Sequence, residues 1–365
     1  MNISTENWSK TVDNFEAWWR NESIGRPLMS VVARRETPLG TLQPIAPPAD
    51  FEALHMDVER KIAEMENMLL THRFMADAFP SLDLNIGPGS LAVYNGSAPI
   101  FKADTVWFTE CVENIADFKV EFNENDYWYR RHFEALKRAK EASKGRYFVN
   151  MPDLIENIDI VASMRGPQNT CYDLIDEPEL VRDAIAQVDR AYFEYFDRMS
   201  ELLYSDTDGL SAYTSFNIIG KGRVAKVQCD FCALMSPDQF REFVIPSLRK
   251  QIARLDHSVY HLDGPDAVKH VDALLELEQL QAVQWTAGAG KPDVTDPQWF
   301  SMYDKIRSSG KSLHLMPTIE DFDAKLRACD NLIQHIGVQG LYLLFAPMPE
   351  RDAERLMEFA QKHWN

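Results

Sequence analysis

The feature that most constrains the fold is a regular alternation of short apolar runs with longer segments that have helical spacing of apolar residues. Several of the short runs are bounded by glycine, proline or aspartate, as buried parallel strands are. Several of the longer segments begin at a proline, which suits the first turn of a helix. This order predicts a parallel sheet whose strands are connected by crossover helices.

Eight segments read as strands and each leads into a helical segment, which is the count of a (β/α)8 TIM-type barrel. The predicted strands are residues 28–33, 82–86, 146–151, 209–214, 258–262, 280–285, 312–316 and 341–345. We expect one α/β barrel domain over residues 1–365, with a helical extension at 1–24 and an insertion at 87–124 after the second strand. The aromatic N-terminal helix is expected to cover the barrel floor or to contact a second subunit.

Charge and cysteine content narrow the class of protein. The chain has 56 Asp and Glu against 38 Lys and Arg, a net charge of −18, which disfavours nucleic acids and anionic membranes as partners. Its five cysteines suggest no disulfide framework, and no apolar run is long enough to span a membrane. The first residues carry no signal-peptide pattern, so we expect a cytoplasmic protein.

The strongest chemical signal lies at 258–265, where a β-prone run ends in His261 and Asp263 before a Gly-Pro break. Residues two apart in a strand point to the same face, and barrel enzymes place their sites at the carboxyl ends of the strands. Such a pair can bind a metal, transfer a proton or hold a polar substrate. The alternative is a hydrogen-bonded pair that only fixes the loop.

Further candidates come from the other predicted strand ends. Asp153 follows the third strand, and Asp230 lies between Cys229 and Cys232 in the segment after the fourth, so both carboxylates are candidate catalytic groups. Cys229 is either a metal ligand or a small buried side chain. The candidate substrate-binding residues are Arg34, Asn85, Tyr213, Arg223, Gln284 and Trp285.

Several stretches of the chain resemble the uroporphyrinogen decarboxylase superfamily, which also contains cobalamin-dependent methyltransferases. They are Arg26-Pro27 with Arg34-Arg35, Arg165-Gly166 with residues 173–181, the Ser-Pro-containing residues 235–246, and the strand end His261-x-Asp263-Gly264. The resemblance covers nearly the whole chain from residue 24 onward. It implies an enzyme on a barrel fold.

The strand end differs from that of the relatives that methylate thiols. In that branch zinc is held by His-x-Cys at this strand end and by a Cys after the last strand, whereas this chain has His261-x-Asp263 and Phe345-Ala-Pro-Met. A two-thiolate zinc site cannot be built from these residues. We expect a harder, more open site for zinc or another divalent metal, with His261 and Asp263 as ligands and either Cys229 or Asp230 as the third.

The resemblance implies, as the leading hypothesis, a methyltransferase that takes a methyl group from a small O- or N-methyl compound. The acceptor would be Co(I) of cobalamin carried by a partner corrinoid protein. The alternatives are a metal-free decarboxylase or lyase that holds a polycarboxylate through Arg34, Arg165 and Arg223, and a non-catalytic binding protein. The aromatic N-terminal helix also makes a homodimer plausible.

Overall fold

The computed structural model describes residues 3, 5 and 7–364, and at its centre is a mostly parallel β-sheet flanked by helices. The strands are β1 (Leu28–Arg34), β2 (His72–Ala76), β3 (Ser81–Leu82), β4 (Pro99–Phe101), β5 (Val106–Phe108), β6 (Phe148–Val149), β7 (Leu210–Tyr213), β8 (Ile218–Lys221), β9 (Val224–Gln228), β10 (His257–Asp263), β11 (Ala282–Thr286), β12 (Ser312–Leu315), β13 (Leu341–Leu344) and β14 (Met348–Pro349).

The α-helices are α1 (Trp8–Trp19), α2 (Phe51–Met56), α3 (Val58–Thr71), α4 (Ser90–Val93), α5 (Tyr127–Ser143), α6 (Asn157–Arg165), α7 (Pro167–Asp176), α8 (Pro178–Tyr204), α9 (Pro237–Gln239), α10 (Ile245–Ile252), α11 (Val271–Leu275), α12 (Phe300–Ser308), α13 (Phe322–Ile336) and α14 (Glu350–His363). A π-helical turn, Phe240–Val244, joins α9 to α10. Within the described residues no helix is both long enough and apolar enough to cross a membrane.

The main sheet confirms the predicted parallel arrangement. Its strands follow the order β14-β1-β13-β12-β11-β10-β9, with parallel pairing throughout, and only β2 joins antiparallel at β1. Most residues of these strands are buried, as expected when helices cover a parallel sheet. Five of the eight predicted strands correspond to β1, β10, β11, β12 and β13.

The other three predicted strands behave differently. Segments 82–86 and 146–151 shorten to β3 and β6, which form a separate two-stranded parallel ladder. Segment 209–214 becomes β7, which pairs antiparallel with β8, while the place beside β10 is taken by β9. The segment after the fourth predicted strand therefore contains β9, a strand that is absent from the eight predicted ones. Among residues 7–364 the ladders do not join into one continuous ring.

The N-terminal helix packs against the amino-terminal end of the sheet. This is the first of the two positions expected for it, the other being a contact with a second subunit. The Trp18 indole donates to the carbonyl of Gly340 (3.1 Å), and the Trp19 indole donates to that of Ile219 (2.8 Å). The Trp19 ring also stacks on His257, the first residue of β10, with ring centroids 4.9 Å apart. Both tryptophans are buried, so α1 belongs to the core.

Part of the predicted insertion lies at the opposite end of the sheet. It contains α4 and the hairpin of β4 and β5. The first backbone N–H groups around α4, those of Gly89 and Ser90, both donate to the carbonyl of Asp153 at 3.0 Å. Asp153 lies in the loop after β6, so the insertion reaches the end of the sheet where the sequence predicts the site. The exposed Trp107 and Ile100 form a cross-strand pair on the hairpin.

Candidate functional site

Three side chains from neighbouring strand ends converge at the carboxyl-terminal end of the sheet. Asp230 follows β9, and His261 and Asp263 close β10, whose alternation places both on one face. One ligand atom from each lies within 4.8 Å of the other two. Asp230 and Asp263 are exposed and His261 is half-buried, so solutes can reach the group. We call these three residues the His/Asp cluster.

The imidazole of His261 is oriented by Gln284 on the neighbouring strand β11. Gln284 donates through its amide nitrogen to the carbonyl of Trp285 and to the hydroxyl of Thr286, each at 2.9 Å. Its amide oxygen therefore faces His261 and accepts a short hydrogen bond from Nδ1–H. The lone pair of Nε2 is left free, which is the form that binds a metal or accepts a proton.

A line of polar side chains on β9 connects the cluster to the loop after β6. Lys226, Gln228 and Asp230 are spaced two apart, so the strand directs them to one side. The buried Lys226 ammonium forms an ion pair with Asp153 at 2.8 Å and donates to the Gln228 amide oxygen. The Gln228 amide nitrogen then donates to Asp230 Oδ2 at 2.9 Å. Asp153 is thus connected to Asp230 through the side chains of Lys226 and Gln228.

A second carboxylate, Asp159, supports Asp230 from below. Its two oxygens accept the backbone N–H groups of Asp230 and Phe231, each at 2.8 Å, and it is buried in α6. Burial raises the pKa of Asp159, and the neighbouring Asp230 raises it further, because two adjacent negative charges are unfavourable. Burial likewise raises the pKa of Asp263, while His261 opposes that rise.

Glu156, just before α6, binds the edge of β9 that has no strand partner in the main sheet. Its Oε1 accepts the backbone N–H of Gln228 at 2.6 Å, and the residue is 2% exposed. Burial raises the pKa of Glu156 to about 8, although the nearby Lys226 lowers it. At neutral pH this side chain is therefore mostly protonated.

A row of buried aromatic rings packs against the His261 side of the sheet. His314 is fully buried, stacks on Tyr342 with centroids 4.5 Å apart, and touches Phe216. Phe216 in turn lies 5.4 Å from the His261 ring. Neither nitrogen of His314 has a hydrogen-bond partner among the described residues, and burial lowers its pKa to about 3. His314 is thus a neutral ring. It differs from most buried histidines, whose ring nitrogens form hydrogen bonds.

The polar surface continues on the other side of the cleft. Asn150, after β6, donates to Asp83 Oδ1 at 2.6 Å and to the Ser215 hydroxyl at 3.4 Å. Asp83 is exposed, yet surrounding protein raises its pKa, as expected for a group inside a cleft. The predicted Asn85 is nearby in sequence but bonds locally, accepting from the Ser90 hydroxyl. Tyr213 ends β7, buried, with its ring 5.8 Å from Lys226 Nζ.

Two of the predicted residues, Arg223 and Trp285, lie away from the cluster. Arg223 precedes β9, at the amino-terminal end of the sheet, and pairs with Asp197 at 2.9 Å. Its predicted place after a strand was wrong because β9 itself was missed. Trp285 points to the helix layer and packs on Trp299, since alternation gives the inner face of β11 to Gln284.

Cys229 and Arg34 complete the comparison. Cys229 is buried, its thiol lies beside Cys232, and burial raises its pKa well above the usual value. Its sulfur is not part of the His/Asp cluster; Asp230 takes that place. Arg34 is exposed at the carboxyl end of β1, on the same rim of the sheet as the cluster.

The cluster fits a divalent metal. One imidazole nitrogen and two carboxylate oxygens form a hard, open set of donors. Two of these ligands are held by a hydrogen bond from behind, His261 by Gln284 and Asp230 by Gln228. Ligands of one ion at roughly 2.1 Å can lie at most about 4.2 Å apart. The observed limit of 4.8 Å therefore needs only small side-chain rotations.

Sequence reasoning missed Lys226, Gln228, Glu156 and Asp159. Lys226 and Gln228 did carry a signal, since the stretch Val-Ala-Lys-Val-Gln alternates as a strand does. Glu156 and Asp159 open α6, where acidic residues are common because they suit the helix dipole, so their positions give no signal of a site. No family model matches this chain, and no curated protein is significantly similar to it.

Proposed function

We propose that the protein is an enzyme on a closed (β/α)8 barrel that transfers a methyl group from a small O- or N-methyl compound to the cobalt of cobalamin. A partner corrinoid protein would carry the cobalamin. The observation that carries the proposal is the His/Asp cluster, which lies where a barrel enzyme keeps its site and offers nitrogen and oxygen donors without a thiolate. The resemblance described above supplies the reaction class.

The chemistry of methyl transfer explains why such a cluster is useful. Methyl ethers and amines are poor leaving groups, so the heteroatom that loses its methyl group must be stabilised by a metal or a proton. A divalent ion held by Asp230, His261 and Asp263 would supply this Lewis acidity. The residues around the cluster orient it, because Gln284 fixes the imidazole of His261 and Gln228 fixes the carboxylate of Asp230.

The positions of the arginines favour this proposal over a metal-free lyase acting on a polycarboxylate. Such an enzyme needs inward-facing cations. Arg165 is paired with Asp173 at 2.8 Å, and Arg223 with Asp197 at the other end of the sheet. Of the three arginines expected to hold carboxylates, Arg34 alone remains on the rim with the cluster.

We also propose where the enzyme is located and which surface contacts a partner. The five cysteines are free thiols, which suits the reducing cytoplasm. The exposed aromatic hairpin at the carboxyl end of the sheet, with Trp107 and Ile100, is a surface on which a corrinoid protein or a second copy of this chain could dock.

The test combines metal analysis with an activity assay. Protein purified without chelators is expected to contain a divalent metal, and to methylate reduced cobalamin, free or on its carrier protein, when given an O- or N-methyl donor. His261→Ala and Asp263→Asn should each lose the metal and the activity. Asp266→Asn is the matched control, because Asp266 is exposed in the same loop and outside the cluster. A metal-free protein that releases CO2 from a polycarboxylate would overturn the proposal.

A further inference from the structure

A second cavity lies in the helix layer, between α8 and α10. Its volume is about 240 Å³, and it reaches inward as far as Glu156, behind the wall formed by β9. This is a different place from the His/Asp cluster, none of whose residues lines it. Its walls combine apolar surface from Phe193 with several polar side chains.

The wall contains a buried side-chain amide that makes no hydrogen bond of normal geometry. Gln251 is 4% exposed, and neither its amide nitrogen nor its amide oxygen has a hydrogen-bond partner among the described residues. The amide lies close enough to Tyr192 to lower the pKa of that hydroxyl, against the larger effect of burial. An amide buried in this way costs roughly 1–3 kcal/mol, and a ligand that supplies a donor and an acceptor would recover that free energy.

The inner wall offers further hydrogen-bonding groups. Glu156 lines the cavity. Burial raises the pKa of its carboxyl group to about 8, so at neutral pH its O–H can donate a hydrogen bond to a ligand oxygen. Tyr192 lines the same wall. The inner end of the cavity is therefore neutral and polar, which suits an uncharged group such as an amide.

The outer wall is positively charged, although the chain as a whole carries −18. Arg190, Lys250 and Arg254 line the cavity, and the acidic side chain beside them is that of Asp189. Arg254 is paired with Asp197 at 3.2 Å, and Lys250 lies 4.0 Å from Asp189. Arg190 forms no salt bridge within residues 7–364, so its guanidinium remains available for a carboxylate.

We propose that this cavity binds a small organic anion that carries both a carboxylate and an amide, as an N-acylated amino acid does. The carboxylate would face Arg190 and Lys250, and the amide would pair with Gln251 and Glu156 after rotation of the Gln251 side chain. A cavity of 150 Å³ holds benzene, so 240 Å³ suits a ligand of about ten non-hydrogen atoms.

Isothermal titration calorimetry with N-acetylglycine on the full chain tests the proposal. N-acetylglycine should bind, and both acetamide, which lacks the carboxylate, and acetate, which lacks the amide, should bind at least tenfold more weakly. Gln251→Leu should weaken N-acetylglycine binding at least tenfold while leaving the melting temperature of the free protein unchanged or higher. Arg190→Gln should weaken it as well, whereas Lys362→Gln, an equal charge change on exposed α14, should not.

Two results would overturn the proposal. One is the absence of any binding of N-acetylglycine to the wild-type chain. The other is binding that Gln251→Leu leaves unchanged, which would place the ligand elsewhere. If Gln251→Leu does not fold, Arg190→Gln decides, because its position on the outer wall leaves the core intact and unchanged affinity would contradict the proposed carboxylate contact.

Discussion

At the scale of single residues, the state of His261 depends on one amide. Gln284 is itself fixed by the carbonyl of Trp285 and by Thr286, so its oxygen accepts from Nδ1–H and cannot turn away. In the neutral ring this arrangement places the proton on Nδ1 and leaves the lone pair on Nε2. Gln284 therefore acts through His261, as a positioning residue.

We expect Gln284→Leu to weaken divalent-metal binding about 10- to 100-fold, the usual effect of losing the partner behind a metal-binding histidine. Gln284→Glu keeps an acceptor for Nδ1–H and should restore most of the affinity. Titration of the metal-free protein with Zn²⁺ against a competing chelator measures both. Equal affinities in the wild type and the leucine variant would show that Gln284 only fills space.

Glu156 gives the protein a pH-dependent stability. Its pKa is about 8 in the folded state and near 4.5 when the chain is unfolded. Between these values the folded state binds more protons than the unfolded state, so the free energy of unfolding falls as the pH rises. The contribution is complete below pH 4.5 and is lost above pH 8.

We expect Glu156→Gln to remove this dependence, because glutamine has no proton to lose and still offers an acceptor to the Gln228 N–H. Urea unfolding measures the free energy of unfolding of both proteins at pH 5 and pH 8. The difference between variant and wild type should shift in favour of the variant by roughly 3 kcal/mol from pH 5 to pH 8. Glu201→Gln on exposed surface is the control and should follow the wild type. A parallel pH profile for Glu156→Gln would mean that Glu156 is ionised in the folded state.

At the scale of secondary structure, β9 supports the His/Asp cluster from the side of Asp230. It holds a buried lysine and a glutamine on the inner face of a strand that pairs with β10, and it ends beside Asp230. The ion pair of Lys226 with Asp153 ties this strand to the loop after β6, a junction that no backbone ladder spans.

Replacing Lys226 with Met should destabilise the protein by about 3 kcal/mol, because Asp153 is left without its cation in a mostly buried site. The double variant Lys226→Met, Asp153→Leu should recover most of that loss, since both charges are gone. Lys305→Met breaks an exposed pair with Asp272 and should cost less than about 1 kcal/mol. Denaturant unfolding measures all of these variants, and additive losses in the double variant would contradict the coupling.

The same strand shows where prediction from sequence succeeds and fails. Alternation placed His261 and Asp263 correctly at the end of β10, because that strand is apolar and ends at a Gly-Pro break. It failed for β9, because the alternation there covers only five residues and the glycines before them suggest a loop. The partners that hold the two polar residues of this strand in place include Asp153 and Glu156, 73 and 72 residues earlier in the chain, which no local pattern contains.

At the scale of the whole molecule, a metal in the cluster would link the end of β10 to the segment after β9. Because the unfolded chain lacks this arrangement, binding should stabilise the fold as a whole. At a concentration 100-fold above the dissociation constant the gain is about 2.7 kcal/mol, which should raise the melting temperature by a few degrees.

Differential scanning calorimetry with and without Zn²⁺ measures this shift in the wild-type protein. EDTA should reverse it. Asp230→Asn should abolish most of the shift, whereas Asp266→Asn should retain it. A shift of the same size in Asp230→Asn would place the ion outside the cluster.

The contact of α1 with the end of β13 also bears on how the chain is made. The Trp18 indole binds the carbonyl of Gly340, 322 residues further along. At typical rates of synthesis, roughly half a minute separates the emergence of these two partners from the ribosome. During that interval the aromatic face of Phe15, Trp18 and Trp19 has no β13 to cover it, so we expect the nascent chain to engage chaperones early. We also expect truncations before Gly340 to aggregate, because the two ends of the chain complete each other's core.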